Sequence, residues 1–255
     1  NALADPYILG ISSGASLGAT TAVMFGLGTI FGSNAIGIFG FIGAFVVSII
    51  VLLISNIGGR SNSIKLLLGG MALSSVCSAF SSFIVYFAND AQGIQTITFW
   101  LMGSVAGAKW EQIAFILPII LAGTIFFITQ YRILNLMLLG DEVSITLGTD
   151  LNKYRYTYLI ITSLMIGLLV YSSGMIGFAG LVIPHIVRMI FGTDHKKIIP
   201  IAALVGAIFL IWADVLSRII VKGSEIPIGI LISIIGAPCF IWLMIKKTYT
   251  FGGNV

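Results

Sequence analysis

"PYILGISSGASLGATTAVMFGLGTIFGSNAIGIFGFIGAFVVSIIVLLISNIGG", residues 6–59, runs for 54 positions without a charged residue. A helix needs about 20 apolar residues to cross the hydrocarbon core of a bilayer, so the run is too long for one crossing. Its Gly, Ser and Asn residues cluster at "GLGTIFGSNAIG" (26–37), where the chain turns. That predicts two helices, over roughly 7–28 and 35–55.

The rest of the sequence has the same character. Hydrophobic residues make up 58% of the 255 and charged ones 9%, against about 25% charged in a soluble domain. Such a chain cannot cover a water-facing surface, which makes it an integral membrane protein and sets aside the usual domain-per-length prior. The net charge of +4 is too small to suggest nucleic acid. Lys and Arg enriched in cytoplasmic loops account for its sign. The start carries no basic region followed by an apolar stretch and a cleavage site, so it does not read as a secretory signal.

After the polar turn "NIGGRSNSIK" (56–65) a span is predicted over 66–87. A shorter piece, "ITFWLMGSV" (97–105), is too short to cross, and Phe99, Trp100 and nearby Lys109 suit an interface. Further spans fall at about 111–131, 154–173, 177–191, 199–220 and 226–245. The fold class is therefore an all-α helical bundle of about eight transmembrane helices, with one short interfacial helix. With the first residues placed in the cytoplasm, Arg60, Lys65, Arg132, Lys153, Arg155, Arg188, Lys196, Lys197, Lys246 and Lys247 fall on that side. Lys109, Arg218 and Lys222 fall on the other. This asymmetry favours both ends being cytoplasmic, and it requires 177–191 to cross despite Pro184.

Gly10, Gly14 and Gly18 recur every four residues, with Ser12, Ser13, Ala15 and Ser16 between them. Such faces let helix backbones approach closely in lipid; the alternative is that their serines line a gate. Gly70, Ser74, Ser78 and Ser82 form a second stripe, either packing or lining a path. Intramembrane carboxylate pairs of the kind proton-coupled carriers use are absent from the sequence.

Nucleotide and metal chemistry find little support. G-x-x-x-x-G-K-[ST] and H-E-x-x-H do not occur. Cys77 and Cys239 sit in apolar runs as small hydrophobes. His185 follows Pro184 and reads as structural, while His195 lies in the polar "GTDHKK", where Thr193 or Asp194 would cap the next helix. The loop "LLGDEVSITLGTDLNKYR" (138–155) combines an acidic pair, a helical apolar pattern and two glycines. It reads as a solvated connector or as a docking element for a soluble partner. Asp214 and Arg218, four apart, form a helical ion pair, or Arg218 projects to receive a partner's carboxylate.

"NALADPYILGISSGASLG" (1–18), "IGFAGLVIPHIVRMIFGTDHKKIIPIAALVGAIFLIWADVLSR" (176–218) and "EIPIGILISIIGAPCFIWLMIKK" (225–247) resemble the FecCD-type permeases. These are membrane subunits of ABC importers for iron–siderophores, haem and vitamin B12. The resemblance runs the length of the chain. It implies a permease fold of ten transmembrane helices, like the vitamin B12 importer permease, working as a homodimer or paired permease in the cytoplasmic membrane. Two cytoplasmic ATP-binding subunits, which hold the ATP and Mg, drive it, and an extracytoplasmic substrate-binding protein feeds it. The chain itself would bind no cofactor or metal, contact lipid, and perform no enzymatic step.

Residue by residue, the resemblance makes 132–153 the coupling loop, with Gly140, Asp141, Glu142 and Gly148. The Glu142-x5-Gly148 spacing is similar to the importers' acid-Ala-Ala-x3-Gly pattern, with Val143 and Ser144 in place of the alanines. Arg218 resembles the outer-face arginine that docks the binding protein. Leu9, Ser12 and Ser13 resemble one half of the cytoplasmic gate, and the helix carrying Ser74 and Ser78 the other. Family members carry two helices before the "NALADP"-like motif. Asp5 as N-cap and Pro6 as first helical residue would then open the third family helix. A chain with a single permease domain over 1–255 that lacks those two helices is expected to be N-terminally truncated.

Function follows as a permease subunit moving an iron–siderophore complex, with haem or cobalamin as the alternative cargo. An ion-coupled secondary transporter is the alternative class. An intramembrane enzyme finds no constellation of catalytic groups.

Overall fold

In the computed structural model, which describes residues 10–57, 63–88, 90–221 and 225–246, the described chain is helical, with short irregular links. The helices are α1 (Ile11–Met24), α2 (Gly28–Phe31), α3 (Ala35–Asn56), α4 (Ser63–Phe87), α5 (Ala91–Leu101) and α6 (Trp110–Thr129). They continue with α7 (Tyr131–Met137), α8 (Asp141–Thr146), α9 (Leu151–Ser173), α10 (Ala179–Phe191), α11 (His195–Ile219) and α12 (Ile228–Lys246). Carboxylates open three of them. Asp90 accepts from the Gly93 N–H, Asp150 from Asn152 and Asp194 from Lys196, each answering a helix-terminal donor that has no partner of its own.

Five helices, α3, α4, α6, α9 and α11, are long and apolar enough to cross a membrane. The shorter α1, α10 and α12 pack with them, α1 on α3 and α4, and α10 and α12 on α11. α10 is 13 residues long, about 20 Å at 1.5 Å per residue, and shorter than the bilayer core. The segment from Gly174 to Asp194 nevertheless travels the length of the bundle. Tyr171 at its start lies against Gly37, at the head of α3. His195 at its end bonds Asn135 on α7, beside the start of α9. The irregular stretch 174–178 completes the traverse. There Phe178 takes a left-handed φ of 62°, a conformation costing about 1–3 kcal/mol. Gly236 leaves room for it, since a Cβ at 236 would sit 2.9 Å from the Phe178 Cβ.

Two expectations change. The first helix was predicted over 7–28; the described helix starts at Ile11, because Gly10 has φ +83° and breaks the helical path, and stops at Met24, just before Gly26 with φ +65°. The proposed cap at Asp5 and Pro6 lies outside the described residues, as do Arg60 and Lys222. The short piece near 97–105 is α5, which begins earlier, at the Asp90 cap, and ends at Leu101. Its Trp100 turns inward. Its ring fills the space over Gly40, where an added Cβ would come within 2.6 Å of it, and it packs beside Ile11, Ala15, Ala44 and Val170.

α1 is surrounded by α3, α4, α5 and α9. A Cβ at Gly14 would collide with the Gly43 carbonyl and come within 2.6 Å of Val47. One at Gly18 would strike the Phe39 carbonyl, and one at Gly43 the Gly14 carbonyl. The two backbones cross in contact through "GASLG" of α1 and "FGFIG" of α3. The core then divides. Val47, Val51, Leu52, Leu66 and Cys77, with Ile11, Ala15, Ala44 and Val170, unite α1, α3, α4 and α9. Ala213, Ile228, Leu231 and Ile232, with Ile183, Val187 and Ile198, unite α10, α11 and α12.

Gly14→Val is expected to lower the stability of the purified protein by about 1–3 kcal/mol or more, since backbone rather than a flexible side chain must yield. Gly28→Ala, where nothing lies within 4 Å, should leave it unchanged. Denaturant-induced unfolding in detergent or lipid micelles checks the pair.

Candidate functional site

The loop 132–153 folds into two short helices set at one end of the bundle. Gly140 (φ +90°) and Gly148 (φ +79°) bracket α8 with left-handed backbone that only glycine adopts without strain. Gly148 and Thr149 donate back to the carbonyls of Ile145 and Ser144 at 2.9 Å each, closing the helix end. Ser144 is fully buried, and its hydroxyl bonds the carbonyls of Gly140 at 2.7 Å and Leu136 at 3.2 Å. That hydroxyl ties α8 to α7. Around this polar pin the apolar side chains of Leu138, Leu139, Val143, Ile145 and Leu147 face outward. Asp141 and Glu142 begin α8, but their side chains lie outside the described residues.

α7 is held on two sides. Gln130, at its head, accepts from the Tyr158 hydroxyl on α9 at 3.0 Å. Asn135 reaches α11: its amide donates to Asp194 at 2.8 Å, and its oxygen accepts from the His195 N–H at 2.9 Å and meets His195 Nδ1 at 2.8 Å. A carboxylate only accepts and a backbone N–H only donates. The amide orientation is thereby fixed, and Nδ1 must carry the ring proton. The polar "GTDHKK" left a solvated or a helix-capping role open for His195; it is the first residue of α11, and its ring is held by Asn135.

The gate candidates separate. Leu9 lies outside the described residues. Gly10, expected on a helix face with Gly14 and Gly18, instead forms the turn into α1, where an added Cβ would come within 3.0 Å of Val47 and 3.5 Å of the Ser74 hydroxyl. Ser12 donates to the Met175 sulfur at 2.8 Å. It also lines a cavity of about 600 Å³ with Met102, Met175, Phe178 and Ser233. Ser13 and Ser74 are half-buried, while Ser78 and Ser82 are exposed on α4. The neighbouring exposed Ser75 donates to the Met71 carbonyl at 3.1 Å, so a hydroxyl on this face can be satisfied within its own helix.

At the other end of the bundle Arg218 is already engaged. Its Nε and Nη2 bond both oxygens of Asp214 at 3.0 and 3.2 Å, and Nη1 meets Glu225 at a longer 3.4 Å. The i,i+4 spacing foretold the first contact; nothing in the sequence pointed to Glu225. Likewise no sequence signal marked Asn135, whose partners lie 59 and 60 residues away. Among the described residues no group of His, Cys, Asp and Glu could hold a metal ion.

The carboxyl of Asp194 lies below the usual carboxylate range, held there first by the Asn135 amide and then by the Lys196 N–H. A depressed carboxylate stabilises the fold above its unfolded pKa, and that contribution is lost as pH falls through the folded value. The melting temperature of the purified protein should therefore drop as the pH is taken below about 4. Asp194→Asn should flatten part of that acid limb.

Residues 1–246 match the model of the FecCD transport family. An uncharacterized ABC transporter permease protein, YvrB of Bacillus subtilis, is 41% identical over 249 residues, which is 97% of this chain and 70% of that protein. The hemin transport system permease protein HmuU of Yersinia pestis is 38% identical over 97% of this chain and 74% of its own length. The vitamin B12 import system permease protein BtuC of Salmonella typhi is 37% identical, again over 97% and 74%. A solved metal-chelate type ABC transporter in an inward-facing conformation superposes with a TM-score of 0.87 and 32% identity, over 97% of this chain and 77% of that one.

Proposed function

Because this chain belongs to the FecCD transport family and is a multi-pass permease of the ABC importer type, we propose that it carries an iron–siderophore complex across the cytoplasmic membrane. Two ATP-binding subunits drive it from α7–α8, and a binding protein delivers the cargo at the opposite end. The observation that carries the reading is the α8 unit. A buried serine and two left-handed glycines hold it rigid, yet its apolar side chains point outward. Exposed apolar surface around a rigid core is what a docking partner covers.

A second permease copy is the proposed cover for the exposed face of α4, which includes Met71, Val76, Ser78, Phe80 and Phe83. In that arrangement Ser74 and Ser78 border a path shared by the two copies, next to the turn at Gly10. Among the described residues the cavity at Ser12 and Met175 has no charged residue in its lining. It suits a bulky chelate whose metal is already fully ligated and needs no protein ligand. Ferric siderophores, haem and cobalamin share that chemistry, and the siderophore is our choice among them. Proteoliposomes containing the permease, its ATPase subunits and the binding protein are expected to accumulate iron-labelled siderophore with ATP. Hemin or labelled cobalamin accumulating instead would overturn the cargo. Uptake from an ion gradient without the ATPase subunits would overturn the transporter class.

Arg218 is the proposed docking contact for the binding protein. Asp214 grips two guanidinium nitrogens and orients the group, while the longer bond to the exposed Glu225 holds the third. A carboxylate on the partner would take the place of Glu225. Arg218→Glu should weaken docking about tenfold or more, and most at low salt, because exposed charge pairs are screened. Glu225→Gln removes the competitor and should tighten docking about two- to fivefold. Binding-protein affinity measured against ionic strength checks both; an unchanged affinity in both variants would remove Arg218 from the docking surface.

A further inference from the structure

We propose that Asn135 is a positioning residue for transport, the joint through which movement of α7–α8 is handed to α11 and the α10–α12 half of the bundle. The proposal rests on the reading of α8 as the ATPase docking element. Its own basis is geometric. α8 is bound to α7 by the buried Ser144 hydroxyl on Leu136. The residue before Leu136 on α7 is Asn135, and it makes three polar contacts of 2.8–2.9 Å to the first turn of α11. The head of α7 is bound separately to α9 through Gln130 and Tyr158. α9 belongs to the half built on α1, α3 and α4, and α11 to the other. α7 and its N-cap Gln130 therefore straddle the seam between the two cores, with Gln130 tied to α9 and Asn135 to α11.

The tie to α11 uses every group that Asn135 has to offer in that direction. One amide donates to a carboxylate, and one oxygen accepts two N–H groups. Hydrogen bonds to an ionised partner are the stronger kind, and they are directional where apolar contacts slide. The same carboxylate caps α11 through the Lys196 N–H at 3.0 Å, so a pull on Asn135 acts on the helix terminus itself. Apolar contact alone would let α7 rotate against α11; this fork does not.

The test is an exchange of partners in the full complex of permease, ATPase subunits and binding protein. Asn135→Asp sets two carboxylates against each other and removes the only donor to Asp194 in the fork. Uptake per ATP hydrolysed should fall about tenfold or more, with the ATPase subunits still co-purifying. Combining Asn135→Asp with Asp194→Asn restores one donor and all the acceptors. The exchanged carboxylate accepts from the His195 N–H, from Nδ1 and from the new amide. Because Asn135 and the Lys196 N–H meet the same Asp194 oxygen in the parent, the amide must turn to present its NH2 to residue 135 while its oxygen keeps the Lys196 N–H. Coupling should return to within about threefold of the parent, a rescue that loss of general stability does not predict. Parent-like coupling in Asn135→Asp, or a double variant as poor as the single, overturns the proposal. Should the single variant fail to accumulate, the double variant alone decides, for if it couples and against if it accumulates without coupling. Leu147→Asp on the exposed face of α8 addresses the underlying reading separately. It should strip the ATPase subunits from the permease, and their retention would overturn the docking element without touching the Asn135 result.

Discussion

The bundle depends on backbone contact between α1 and α3 at Gly14, Gly18 and Gly43. In lipid there is no hydrophobic drive to bring helices together, since the tails outside are as apolar as the side chains inside. What remains is dispersion at close range, and that is largest where no Cβ intervenes. α1 is well suited to this and poorly suited to facing lipid. It is short and made largely of Gly, Ala, Ser and Thr. Its neighbours α3, α4, α5 and α9 take up the surface around it. The Val47 and Ala44 cores form around that crossing, and the turn at Gly10 brings the start of α1 beside Ser74 of α4.

How much of this was legible depended on the range of the physics involved. Apolar length is a local property, so the bounds of α3, α6, α9 and α11 lay within a few residues of the predicted spans. The helix pair Asp214–Arg218 is also local, and its spacing alone announced the contact. α8 could be foreseen because glycines at 140 and 148 mark the only places where a tight helical loop needs left-handed backbone. The start of α1 was misplaced because Gly10 reads equally as a helix-packing glycine and as a turn, and only the surroundings choose between them. Trp100 was read as interfacial from its type; Gly40, 60 residues earlier, is what makes room for it. Asn135 carried no signal at all. One asparagine in the short helix "YRILNLM" names no partner until α11 is folded against it.

Backbone hydrogen bonds tie the segments between the two cores. Ser104 N–H bonds the Ser173 carbonyl at 2.8 Å, and Gly229 N–H bonds the Met102 carbonyl at 3.1 Å. Close approach is again required, since a Cβ at Gly103 or Gly174 would strike the facing backbone. At the other end the seam is spanned by α7 through Tyr158 and Asn135. Apolar faces can slide by a fraction of a side chain at little cost, whereas a hydrogen bond keeps its partners or breaks. A seam joined this way has a small number of discrete arrangements, which is what a stepwise transporter needs.

The scarcity of charge bears on cargo. The chain has nine acidic residues. Three of them, Asp90, Asp150 and Asp194, start helices, and two more, Asp214 and Glu225, share Arg218. Among the described residues none lines the cavity at Ser12 and Met175, where aliphatic side chains, hydroxyls, thioethers and an aromatic ring make the wall. Such a wall offers weak contacts to many chelates and a deep electrostatic well to none. A strong site in the proposed path would hold its cargo and slow release, whereas a weak one lets the cycle of the ATPase set the direction. On the proposed function, discrimination among siderophore, haem and cobalamin then falls to the binding protein, before the cargo reaches the membrane. On that account the permease sequence encodes the mechanics of passage and leaves cargo identity to its partner. It follows that relatives handling hemin and vitamin B12 can match this chain at nearly equal identity.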